Sequence, residues 1–160
     1  MNKIRTAGLF SVLFALMSVA PALAAAPTSN ITAGGWFICA VGTESALGHE
    51  CHFGVQAKCK DGVWTGTGSF MDKDYRLKAI IRIDDVNWDL NNYKEVVGWA
   101  KVYVDNKLFV ECPCQLVLTT NPKNFRIWLF SGLFGEWGGY EASGALNGEG
   151  MVGLGNIVIH

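Results

Sequence analysis

Two short segments carry the residue types that could do chemistry. Cys112-Pro113-Cys114 sets two thiols two residues apart, and His49-Glu50-Cys51-His52 groups two imidazoles with a thiol and a carboxylate. A C-x-C pair can form a strained, reducible disulfide, and exchange at such a pair runs through the thiolate. Redox sites usually lower a thiol pKa with a helix N-terminus, and no helix follows here. Leu108, Val110, Leu116 and Leu118 instead continue one alternating row through Cys112 and Cys114, the pattern of an extended strand. Pro113 then marks an edge or a bulge. Structural thiols are the expectation, with thiol–disulfide redox as the alternative.

In the second segment a strand would place His49 and Cys51 on one face. Meeting Cys112 and Cys114, they could complete a tetrahedral metal site. The spacing matches no familiar zinc module, so no metal and no other cofactor is expected; His49, Cys51 and His52 are the residues that would hold one. Asp72, Asp74, Asp84, Asp85 and Asp89 make the middle of the chain acidic. They lack the ligand spacing and bend glycine of a calcium loop, and Asp72-Lys73-Asp74 reads as a solvated turn. No pair of carboxylates is singled out for glycosidase chemistry. Ser69, Ser131 and Ser143 lack the G-x-S-x-G context of a serine hydrolase. No catalytic residue is assigned.

Trp128, Phe130, Phe134, Trp137 and Tyr140 crowd one stretch, interleaved with Gly132, Gly135, Gly138 and Gly139. In a loop these rings would form a binding face for a sugar or a partner protein; in a hairpin they would be core.

The elements that position these groups read as strands. Leu77, Ala79, Ile81 and Ile83 alternate, as do Phe53, Val55 and Ala57, and Phe125, Ile127 and Leu129. Turn signals punctuate them at Asp61-Gly62, Asp105-Asn106, Asn121-Pro122, Gly138-Gly139 and Asn147-Gly148. Strands are expected near 31–41, 50–60, 63–71, 76–85, 95–104, 107–118, 124–130, 139–146 and 151–159. Many short strands with glycine-rich turns predict an all-β fold: an antiparallel sandwich or flattened barrel of about eight to nine strands.

The N-terminus has another character. Lys3 and Arg5 precede an apolar run from Gly8 to Ala20, then Pro21 and the small-residue site Ala22-Leu23-Ala24. Residues 1–24 read as a cleavable signal peptide, 25–30 as a flexible tail and 31–160 as one domain. Localisation is therefore expected to be periplasmic or extracellular. No later stretch is apolar enough to span a bilayer as a helix. The formal charge of −1 gives no electrostatic reason to bind nucleic acid.

Export exposes Cys39, Cys51, Cys59, Cys112 and Cys114 to oxidation, and all five are disulfide candidates. A hairpin turning around Thr43 to Gly48 would set Cys39 opposite Cys51 and Phe37 opposite Phe53. Cys59 would then pair with Cys112 or Cys114. An odd count leaves at least one thiol free or joined to another chain.

Ala33-Gly34-Gly35-Trp36, Phe53-Gly54-Val55-Gln56-Ala57-Lys58, Val97-Gly98, Phe125-Arg126-Ile127-Trp128 and the ending Gly153-Leu154-Gly155-Asn156-Ile157-Val158-Ile159-His160 occur in that order. Together they make the chain resemble the post-COAP type of all-β module that closes many bacterial secreted multidomain proteins. The resemblance covers nearly the whole expected domain. It implies an extracellular β-sandwich without established enzyme activity. Five cysteines, and a domain directly after a leader, depart from that pattern. The expectation is an exported binding or envelope-associated structural protein whose partner is a protein or a glycan. The alternative is a redox or metal-binding periplasmic factor.

Overall fold

A computed structural model describes residues 29–42, 46–134, 139–147 and 153–160. The signal-peptide reading concerns residues outside that set, as do Trp137 and the turn glycines Gly138 and Gly148. The fold is all-β. Its strands are β1 (Asn30–Ile38), β2 (Val41–Gly42), β3 (Glu50–Lys60), β4 (Val63–Asp72), β5 (Leu77–Leu90), β6 (Tyr93–Val104), β7 (Lys107–Thr120), β8 (Lys123–Phe130), β9 (Gly139–Ala145) and β10 (Gly153–Ile159). They form one antiparallel sheet in the order β10-β1-β3-β4-β5-β6-β7-β8-β9-β2. Because β2 continues β1 and pairs with β9, the sheet rolls into a nearly closed barrel. Among the described residues no helix is long and apolar enough to cross a membrane.

Turn chemistry places the hairpins. Asp61 and Gly62 both have positive φ (53° and 79°), as do Asp105 and Asn106 (50° and 62°), the backbone that two-residue antiparallel turns demand. Beyond Ile83 the β5–β6 pairing shifts register twice, and β5 runs on to Leu90. The turn therefore falls at Asn91-Asn92, inside the gap between the expected strands. Asn30 lies in β1, not in a tail: its N–H donates to the His160 carbonyl at 3.0 Å, and His160 returns the bond at 2.9 Å.

Alternate side chains fill the barrel. Phe53 stacks on Phe125 with ring centroids 4.0 Å apart, and Phe37 and Phe70 lie about them at 5.9 and 6.4 Å from Phe125. Ile81, Leu116, Leu118, Ile127 and Leu129 complete the buried interior. Each fully buried side chain of this size contributes about 1.5–3 kcal/mol.

Where strands crowd the barrel wall, glycine is required. A Cβ at Gly98 would overlap the Arg82 carbonyl oxygen of the neighbouring strand, whereas at Gly132 it would meet nothing within 4 Å. Gly98→Ala should therefore destabilise the fold by about 2–4 kcal/mol, and Gly132→Ala by less than about 0.5 kcal/mol. Urea unfolding monitored by tryptophan fluorescence checks both values; equal midpoints would contradict this packing.

Candidate functional site

One end of the barrel gathers polar and aromatic groups from four connections. The β4–β5 turn begins at Asp72, whose Oδ1 accepts the Tyr75 N–H at 2.9 Å in the local hydrogen bond that aspartate favours in turns. The turn is clamped to the start of β3. Asp74 Oδ2 accepts the Glu50 N–H at 2.9 Å, and the Lys73 N–H donates to the Glu50 carbonyl at 3.1 Å. Lys73 Nζ also reaches Glu50 Oε1 at 2.5 Å, and that bond holds the Glu50 carboxyl below its ordinary pKa.

Asp72 is completely buried, which corrects its reading as part of a solvated turn. Burial of a carboxylate requires donors. Tyr140 Oη donates to Oδ2 at 2.7 Å, and His49 Nδ1 lies 2.9 and 3.0 Å from the two oxygens. A histidine held by a buried carboxylate is the arrangement used to orient a general base. The neighbouring nucleophiles are poorly suited to join it. Burial pushes the Cys51 thiol far above the cysteine range, and the Asp72 charge adds to the shift. Burial also raises the Tyr140 phenol, followed by Cys51 and the bond to Asp72. Among the described residues, His49, Asp72 and Asp74 form the group of side chains near enough to share a cation, with ligand atoms within 4.8 Å of one another. Asp72 and Asp74 already accept protein donors. The group therefore reads as a latch that ties the segment before β3 to the end of β4 and to β9.

The three residues named as those that would hold a metal do not converge. His49 faces Asp72, Cys51 points inward, and His52 lies on the outer face with Nε2 2.7 Å from Glu50 Oε1. The β1–β3 register also corrects the expected pairing. Phe37 faces Cys51 and Gly35 faces Phe53, while the Cys39 N–H donates to the His49 carbonyl at 2.9 Å. No disulfide joins any of the five cysteines, all of which are described. Cys112 and Cys114 are buried side by side on β7. Burial raises both thiols, that of Cys114 to about 12, which disfavours the thiolate that redox exchange needs.

The sequence-selected aromatics divide between core and rim. Tyr140 is buried core, Trp128 and Phe134 are half-buried, and Phe130 is exposed. The short 3-10 helix Gly132–Phe134 starts from Ser131, whose carbonyl accepts the Phe134 N–H at 3.1 Å. It turns Leu133 outward and sets the Phe134 ring 5.9 Å from Tyr140 and 5.5 Å from Phe109. Sequence reasoning placed Leu108 in the alternating row of β7 and assigned Phe109 no role. The β6–β7 pairing passes from Val102↔Val110 to Tyr103↔Leu108, skipping Phe109. This bulge leaves both Leu108 and Phe109 exposed, where strict alternation would have buried one. The result is an apolar rim of Leu108, Phe109, Phe130 and Leu133, braced through Phe134 and Tyr140 on the Asp72 latch. Comparison with protein-family models, curated proteins and solved structures returned no match.

The thiols give a pH test. Unfolded cysteines titrate near their ordinary value of 9.0, while folded Cys114 keeps its proton to about 12. Above pH 9 the folded state thus binds more protons than the unfolded state, and stability falls as pH rises through that window. The urea midpoint should decline between about pH 9 and 11, and less steeply in Cys114→Ala. At about pH 8 a thiol reagent should label Cys59, the half-buried one, well before the other four. A rising midpoint, or fast labelling of Cys112 and Cys114, would contradict the burial described.

Proposed function

We propose that this chain is an exported, non-catalytic binding protein that holds a partner on the apolar rim at the His49–Asp72 end of the barrel. The observation that carries the reading is the exposure of Leu108, Phe109, Phe130 and Leu133 at the β6–β7 and β8–β9 connections of this end, with Phe109 packed on Phe134. All four are large, apolar and at least two-fifths exposed. Contiguous exposed apolar surface on a folded domain marks an interaction site more often than single scattered residues do. The rim is also rigidly supported: Phe134 rests on Tyr140, whose hydroxyl is tied to buried Asp72. A braced aromatic anchor loses little side-chain freedom when a partner docks.

Other classes have less support. Redox chemistry would call for an accessible thiolate, and Cys112 and Cys114 are buried with raised pKa values. A carrier of small apolar ligands would need an empty lumen, and phenylalanine rings occupy this one. The resemblance to post-COAP type modules, which carry no established activity, agrees with a binding role, and the N-terminal pattern agrees with export.

A photo-crosslinker placed at Leu133 in the native cell should give a discrete adduct. The same group at Val63, exposed at the far end of the barrel, should give none. Adding Phe109→Ser to the Leu133 crosslinking variant should abolish the adduct while unfolding stability stays within about 1 kcal/mol of the parent. N-terminal sequencing of the same preparation should read from Ala25. Adducts of equal yield from both positions would sink the rim as a binding face, and an intact Met1 on cytoplasmic protein would sink export.

A further inference from the structure

The opposite end of the barrel carries a different kind of surface. An open groove of about 500 Å³ runs over the outer face of β6–β9, between the Asn91-Asn92 turn and the turn at Asn121-Pro122. That size falls within the usual range for small-ligand sites, ~300–1,000 Å³. Its apolar lining includes Val117, Tyr93 and Leu90. Asn92, Asn121, Asn124 and Thr119 line the remainder.

Three features define what such a groove could bind. First, β6, β7 and β8 are hydrogen-bonded on both sides. No free edge is offered there to an extended peptide, so recognition falls to side chains. Second, the polar side chains are amides and hydroxyls. The Thr119 hydroxyl donates to the Pro122 carbonyl at 2.6 Å and Asn124 Oδ1 accepts the Ser143 hydroxyl at 3.4 Å. This leaves the amides of Asn92 and Asn121 and the Asn124 NH2 to match a ligand whose own groups both donate and accept. Third, the charge is cancelled. Arg126 is the single charged side chain among the described lining residues. Its Nε donates to Glu141 Oε1 at 2.7 Å, and its guanidinium lies 3.9 Å from the Trp128 ring centroid. It is thus preorganised, with donors held in place, but presents little net positive charge to an anion.

Hydroxyl-bearing, uncharged ligands with apolar C–H faces satisfy all three. We infer that the groove formed by Tyr93, Val117, Asn124 and Arg126 is a binding site for a neutral oligosaccharide. Its hydroxyls would bond to the amides of Asn92 and Asn124, and its C–H face would rest on Val117 and the Tyr93 ring. The site lies at the other end of the barrel from the apolar rim and does not depend on it.

The full chain would be titrated with cellohexaose, maltohexaose and mannohexaose, with a sulfated heparin hexasaccharide as the anionic control. Binding would be read by calorimetry, and its position by NMR shifts of backbone and side-chain amides. Saturable binding of at least one neutral hexasaccharide is expected below about 1 mM, with shifts at the Asn92 and Asn124 side chains. Asn124→Ala should weaken it about tenfold. Asn92→Ala, on an exposed turn that tolerates substitution, should weaken it as well while leaving unfolding unchanged. Raising the salt concentration should leave the affinity unaltered. The inference is overturned if no neutral hexasaccharide binds up to about 10 mM, or if the heparin fragment binds more tightly and in a salt-dependent way. Shifts confined to Phe109 and Leu133 would overturn it too, while leaving the rim as a binding face.

Discussion

The architecture depends on one stretch of chain serving two neighbours. β1 pairs with β10 as far as Phe37 and with β3 as far as Ile38; past Cys39 the backbone swings away and pairs with β9 as β2. Phe37 is the pivot. It is fully buried, and its ring occupies the space that any side chain at Gly144 on β9 would need. Aromatic burial at that point and the missing Cβ opposite it let the two strands approach closely enough to close the sheet. Closure removes most of the unpaired edge that an open sheet of this length would expose.

Closing the sheet decides where binding can occur. The interior is occupied by Phe37, Phe53, Phe70 and Phe125 and by the aliphatic rows of β5, β7 and β8. Recognition is left to the ends and the outer face. The two surfaces differ because local backbone features expose different residues. A bulge pushes Leu108 and Phe109 outward at one end. At the other, the paired strands β6–β9 display a patch of amides around a neutralised arginine.

Strand positions were legible because the apolar rows of Leu77–Ile83 and Cys112–Leu118 have a period of two, and Asp61-Gly62 and Asp105-Asn106 carry the turn chemistry. The β1–β3 register was not legible. Sliding it by two residues moves Cys39 from Cys51 to His49 yet keeps every side chain on the same face, so the hydrophobic pattern cannot distinguish the two. The end of β5 was hidden by bulges that interrupt the alternation after Ile83. Asp72 looked like a surface turn beside Lys73 and Asp74. Its burial depends on Tyr140, which arrives from a distant strand, and on His49 from another connection. Local sequence contains neither partner's position.

Closure through β2 is the claim on which both surfaces rest, since an open sheet would expose the aromatic interior as a far larger binding face. It is tested most directly by backbone amide exchange at Ala40, whose N–H donates to the Ser143 carbonyl at 2.9 Å. In the closed barrel this amide should exchange as slowly as those of the β5–β6 ladder, with cross-strand backbone proton contacts between Val41 and Ser143. Exchange at the rate of an exposed loop, with no such contacts, would contradict closure.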